Sequence, residues 1–151
     1  MDELYEGIAR NIATSRRSVM HVMSDGHSPP FAYSIGNSVW KAGALPEVLI
    51  IGINPRVSQV IINEVSDRLI VQGVPQDRQL FMLDGGKVPL MLVFCKPLVK
   101  DVYTLQAGRY LKREDYDVMQ IVVPDENGLF PWQPGCSEIY KNIPFLGETV
   151  Q

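Results

Sequence analysis

The run Glu47-Val-Leu-Ile-Ile-Gly-Ile53, followed at once by Asn54-Pro55, constrains the fold more than any other part of the chain. Successive side chains of a strand point to opposite faces of a sheet, so an unbroken β-branched apolar run fits a central strand covered on both sides. Asparagine is a good helix N-cap, and proline at the first helical position gives up no N–H that the helix would use. A helix is therefore predicted from Pro55, with Val57, Ile61, Val65 and Leu69 as its buried stripe and Gly73 at its C-terminal end. A strand that leads straight into such a helix implies a sheet with a helix laid on it.

The flanking segments fill in the layers. Leu4, Ile8 and Ile12 recur every four residues and predict a short N-terminal helix. Residues 18–23 read as a strand, and Asp25-Gly26 with Ser28-Pro29-Pro30 reads as a hairpin turn. Phe31, Tyr33 and Ile35 alternate with small or polar residues, giving a second, half-buried strand. A loop containing Trp40 follows at 36–43. Beyond the central helix, a short strand is expected at 80–83, closed by Asp84-Gly85-Gly86, and a buried strand at 90–95. A helix is expected between Lys100 and Arg113, with Val102, Leu105 and Tyr110 or Leu111 facing inward, although Gly108 weakens it. The last strand covers 117–123 and stops at Pro124, which cannot donate to a ladder. The order α-β-β-β-α-β-β-α-β mixes hairpins with single helices. It specifies an α+β fold: one compact domain over 1–151, a mixed and mostly antiparallel sheet, about three helices, and a loosely held tail over 133–151.

Composition excludes several classes of function. With 46% hydrophobic and 21% charged residues the chain has ordinary globular composition, which argues against disorder. Its net charge of −3 lacks the field that draws nucleic acid or an anionic membrane non-specifically. The N-terminus has no basic start followed by an apolar stretch, and no run approaches the roughly 20 apolar residues of a membrane span. Two cysteines make no disulfide framework. Cys95 sits in an apolar run and reads as a buried small residue, while Cys136 follows Gly135 in a loop with no histidine to activate it. A cytoplasmic location is expected.

Two blocks carry a family resemblance. The first is Phe31-Ala-Tyr-Ser-Ile-Gly36, followed by Pro46-Glu47 before the apolar strand. The second is Gln120-Ile-Val-Val-Pro-Asp125 with Asn127-Gly-Leu-Phe-Pro-Trp132. Together they resemble the bacterial and phage family catalogued as domain-of-unknown-function family 4262, which shows F-A-Y-[ST]-[IV]-G-L, then P-E, then Q-x-x-W-P-D-x-x-G-x-F-P-W. The similar region runs over 31–132. This chain departs from the pattern at Asn37, where the family has leucine, and at Val123, where it has tryptophan. The resemblance implies a compact α+β domain and no particular activity.

The residues that carry chemistry fall into a few groups. In the loop after the last strand, Phe130 and Trp132 offer a flat face and Asp125 a carboxylate to an aromatic ligand. The same residues also make an ordinary turn, with Asp125 bonding its own backbone and the aromatics closing the core. Tyr33 and Asn37 stand at a polar strand end that feeds an irregular loop, a common place for ligand contacts. Tyr33 shares a face with Phe31 and Ile35, which makes its ring core and leaves its hydroxyl. Glu47 reads either as a general base or as an acceptor for loop N–H groups. His21 and His27 are the only histidines and belong to no metal-ligand motif, so no metal or cofactor is expected. Arg109, Lys112 and Arg113 with Tyr110, and separately Arg16-Arg17, are basic patches fit for a phosphate or for water. The Asn54-Pro55 helix start could also face an anion. No Walker loop, nucleophile elbow or Cys-His pair occurs.

These features favour a non-enzymatic domain that binds a small phosphate-bearing aromatic ligand such as a nucleotide or nucleotide signal. The expected pocket lies between the 33–40 segment and the 125–132 loop. Its expected contacts are Tyr33, Asn37, Trp40, Asp125, Phe130 and Trp132, with Arg109 as anion partner. Two alternatives remain: a hydrolase or transferase using His21, Glu47 or Asp125 as acid/base, and a protein-interaction domain or homodimer with an exposed tryptophan as anchor.

Overall fold

The structure, a computed structural model, describes residues 3–39, 45–83, 89–112 and 115–148. Helix α1 (Glu3–Ser15) precedes strands β1 (Ser18–Val22), β2 (Phe31–Ile35) and β3 (Glu47–Ile51). The long helix α2 (Pro55–Gln72) is followed by β4 (Gln79–Phe81), β5 (Leu90–Phe94) and the short helices α3 (Val99–Val102) and α4 (Leu105–Leu111). Strand β6 (Val118–Val122) and helix α5 (Glu138–Lys141) complete the order. The six strands form one sheet in the order β1-β2-β3-β6-β5-β4. The β3–β6 pair is parallel and every other neighbouring pair is antiparallel. This is the α+β architecture that the sequence specifies.

Strand β3 is buried along its whole length, and its residues divide alternately between two cores. Val48 and Ile50 face α2, meeting Ile61, Ile62, Val65 and Leu69. Leu49 and Ile51 face the other layer, with Ile8 of α1, Val99 of α3 and Ala107 of α4. A third cluster, Val93, Val122 and Phe130 with Phe145, continues that second face toward β5. The apolar run is therefore the middle of a three-layer stack.

Helix α2 starts as its caps require. The Asn54 side chain accepts from the Arg56 N–H at 2.9 Å, and Gly73 closes the helix at φ +83°. The stripe differs by one position: Val57 is 48% exposed, while Ser58 is buried in its place. Ser58, Ile61 or Ile62, Val65 and Leu69 hold the 3.6-residue period, and the Ser58 hydroxyl donates to the Ile53 carbonyl, so a polar residue is tolerated there.

The helix expected over 100–113 is two helices. Thr104 breaks it, buried and hydrogen-bonded through its hydroxyl to the Tyr116 hydroxyl at 3.0 Å. The break rotates the second segment, so Ala107 faces inward while Val102 and Leu105 are exposed. The short strand near residue 80 begins one residue early, at Gln79, and the Asp84-Gly85-Gly86 turn expected after it lies outside the described residues.

The C-terminal segment is tied down, contrary to the expectation of a loose tail. Gln120, buried in β6, donates from its amide to the Pro144 carbonyl at 2.8 Å and accepts from the Leu146 N–H at 2.9 Å. Gly147 bridges to Cys95 beyond the end of β5. One polar side chain inside the sheet thus supplies both hydrogen bonds that a passing backbone needs.

Candidate functional site

Strand polarity decides which candidate residues can meet. Strand β6 runs parallel to β3 and β2 antiparallel to it. Residues 36–39, which follow β2, therefore lie at the end of the sheet where β3 and β6 begin. The loop after β6 leaves from the other end. The described parts of the 33–40 segment and the 125–132 loop do not enclose a common pocket, and Trp40 lies outside the described residues. Asn37 is directed to α2 on one face of the sheet, whereas Phe130 and Trp132 pack over β5 and β6 on the other. The sequence carries no mark of which strands pair in parallel, and that pairing separates the two blocks.

At the first end, Glu47 is fully buried and organises the loop after β2. Its carboxylate accepts from the Ser34 hydroxyl (2.7 Å), from the backbone N–H groups of Gly36, Asn37 and Ser38 (3.1, 3.1 and 3.0 Å), and from the Ser38 hydroxyl (2.6 Å). Asn37, also fully buried, donates to the hydroxyls of Ser66 and Ser34 and accepts from Arg17 Nε at 3.0 Å. Arg17 reaches on to Asn63 and Asp67 of α2. Within this network the buried side chains of Glu47, Asn37 and Arg17 all find partners, as burial demands. Of the two readings of Glu47, the geometry gives the acceptor for loop N–H groups. The Arg16-Arg17 patch is corrected as well: Arg17 is 4% exposed and serves this network, and only Arg16 remains at the surface, paired with Asp67.

Tyr33 is core, as its face predicts. Its hydroxyl accepts from the Gln106 N–H at 3.3 Å, and burial pushes its pKa up to about 12. The hydroxyl thus supports the first turn of α4. His21 meets Gln59 at the surface and His27 lies in the exposed β1–β2 turn. Among the described residues no three His, Cys, Asp or Glu side chains converge on a metal position.

At the other end, Asp125 is 2% exposed and closes its own loop. One oxygen accepts from the N–H groups of Asn127 and Leu129, both at 2.9 Å, and the second from Ser137 at 3.0 Å. The N–H bonds from Ser137 and Leu129 lead in holding its pKa below the usual carboxylate value, and burial works the other way. A carboxyl depressed in the folded chain contributes stability above its unfolded pKa of about 3.9 and loses that contribution as pH falls through the folded value. Wild-type protein is therefore expected to lose melting temperature below about pH 4 more steeply than Asp125→Asn. Thermal melts at steps from about pH 5 to about pH 3 check this, and parallel curves would contradict it.

The aromatics beside Asp125 form a layered cluster. Phe130 is buried and stacks on Trp132 with ring centroids 5.3 Å apart and planes 6° apart. Phe145 meets Trp132 edge-on at 5.4 Å, and 49% of Trp132 remains exposed. The turn reading of this loop is the one its hydrogen bonds display. Cys136, which borders it, is 4% exposed instead of open to solvent, and burial raises its thiol pKa; burial likewise pushes Cys95 to about 12. Both shifts favour the protonated thiol over the thiolate.

A cleft of about 750 Å³ opens between α3, α4 and Tyr116 at the first end of the sheet. Among the described residues Lys100, Arg109 and Lys112 line it together with Asp101, and Leu98 and Leu105 give it apolar walls. Lys100 Nζ lies 5.3 Å from the centroid of the Tyr116 ring. Among the described residues neither Arg109 nor Lys112 makes an ion pair. Of the expected ligand contacts Arg109 alone lines this cleft, while Tyr33 lies beneath α4. Tyr110, grouped with the basic residues from sequence, turns away and packs edge-on against Tyr5. Arg113 lies outside the described residues. Pro97 stands just before the Leu98 N-cap of α3, so the helix starts ahead of the expected Lys100, and no comparable local signal marks the break at Thr104.

The family described as Domain of unknown function (DUF4262) matches residues 11–137, most of the chain. No curated protein and no solved structure matches it.

Proposed function

The chain belongs to the DUF4262 family, and from its own surface we propose that it is a non-enzymatic binding domain for a small phosphate-bearing aromatic ligand such as a nucleotide. The ligand occupies the cleft between α3 and α4. The observation that carries this reading is the convergence of Lys100, Arg109 and Lys112 on one concavity in a chain whose net charge is −3. Its volume falls within the roughly 300–1,000 Å³ of small-molecule sites. Arg109 offers a planar fork suited to phosphate oxygens, and the lysines add point charges. Leu98 and Leu105 offer apolar surface to the ring. The buried carboxylates of Glu47 and Asp125 are saturated by N–H and O–H donors within the chain, which favours binding over acid/base chemistry.

Isothermal titration with ADP tests the reading. Arg109→Gln is expected to weaken binding by about tenfold or more, and added salt to weaken it further, whereas Trp132→Ala leaves it unchanged. Equal affinity of wild type and Arg109→Gln would overturn the assignment. A second reading, a protein-interaction domain or homodimer, is favoured by Trp132, a rigid, half-exposed aromatic of the kind that anchors interfaces. Sedimentation of wild type and Trp132→Ala across a concentration range tests it, and a monomer throughout counts against the homodimer.

A further inference from the structure

Helix α3 carries large apolar residues on its outside. Leu98, its N-cap, and Val102, four residues on, are 72% and 65% exposed, and that spacing puts them on one face. Beside them opens a second hollow of about 180 Å³, distinct from the basic cleft. Leu98, Val99, Val102, Phe145 and Leu146 give it apolar walls, and Lys96 and Tyr103 bring the polar atoms among the described residues. Phe145 carries this surface on to the half-exposed Trp132 through their edge-on contact. Leu98 is common to the hollow and the cleft, so the two concavities meet at that side chain. Exposed aliphatics scattered singly need no explanation. Two on one turn, bordering an apolar hollow, mark surface that an apolar group covers.

Resting on the binding reading above, we infer that the ligand is amphiphilic: its phosphate and ring lie in the cleft, and an apolar substituent crosses Leu98 to fill the hollow between Val102 and Phe145. The shared wall carries this assignment, because one molecule can reach both concavities only where they meet. Size sets the substituent. A cavity of about 150 Å³ admits benzene, so this hollow takes a small ring or a short chain and not a long acyl tail. Concavity favours such a substituent over a bilayer, whose surface would cover Leu98 and Val102 without filling the space between Val102 and Phe145.

The test uses the full chain with phenyl phosphate and 4-butylphenyl phosphate, by isothermal titration. Each buried methylene is worth about fourfold in affinity, so the butyl group is expected to tighten binding at least about tenfold. Val102 lines the hollow but not the cleft, and its exposure allows replacement without loss of the fold. Val102→Asn is expected to lose most of the gain while binding phenyl phosphate as wild type does. Leu98→Asn, at the shared wall, is expected to lose the gain and to weaken phenyl phosphate as well. Equal affinity of wild type for the two esters, no binding of either, or a gain that survives in either variant would overturn the inference. So would binding to phosphatidylglycerol vesicles that Val102→Asn abolishes, with no gain for the butyl ester, since that assigns the exposed face to a membrane. The broader binding reading falls separately, if Arg109→Gln binds ADP as wild type does.

Discussion

Replacing Glu47 by alanine is expected to cost about 3–5 kcal/mol, a large share of the roughly 5–15 kcal/mol that holds a domain of this size. The carboxylate accepts five hydrogen bonds in a site closed to solvent. Alanine would leave the hydroxyls of Ser34 and Ser38 free to turn, but the backbone N–H groups of Gly36, Asn37 and Ser38 have no second acceptor among the described residues. Each stranded donor costs about 1–3 kcal/mol, and water entering the space recovers part of it. Glu47→Gln is expected to be intermediate. One oxygen remains, while the amide nitrogen brings a donor to where a donor already points. Urea unfolding of the three proteins measures the order, and a loss below about 1 kcal/mol for alanine would show that the loop holds itself.

Gly36→Ala is expected to cost about 2–4 kcal/mol for an unrelated reason, steric rather than electrostatic. Gly36 has φ +128°, a region closed to side chains, and a Cβ there would lie 2.9 Å from the Arg16 carbonyl oxygen and 3.0 Å from the Arg17 Cα. Both obstacles are backbone, belonging to the chain that enters β1, so relief requires moving the β1–β2 pair. Gly26 supplies the control: its φ is +89°, but an added Cβ would meet nothing within 4 Å. Gly26→Ala should therefore show the conformational penalty alone, about 1 kcal/mol, and the excess at Gly36 measures the clash. Equal losses at the two glycines would contradict the account.

Both residues stand in the blocks that carry the family resemblance, and their tasks differ in how far a sequence shows them. Glu47 is legible as a carboxylate opening a buried strand, but the identity of its donors requires β2 to lie antiparallel beside β3, with the loop folded back. The apolar run, the Asn54-Pro55 helix start and Gly73 are local signals, each satisfied by neighbours within a few residues, and these were legible in full. The split of the 100–113 segment was not. Thr104 breaks the helix because Tyr116, twelve residues away, takes its hydroxyl. The tail was misread for the same reason, since Gln120 tethers it through hydrogen bonds spanning 24 and 26 residues. Arg109 was legible as a cation on a helix. Its convergence with Lys100 required the break between α3 and α4, and its separation from Trp132 required the parallel β3–β6 pair.

The most direct test of the central claim, that the basic cleft is the binding site, is an amide-resolved NMR titration of the full chain with ADP. Saturable shifts concentrated on residues 98–112 and Tyr116, lost in Arg109→Gln, are the expected result. Shifts confined to the 125–132 loop and Phe145, or no shifts at millimolar ADP, would contradict it.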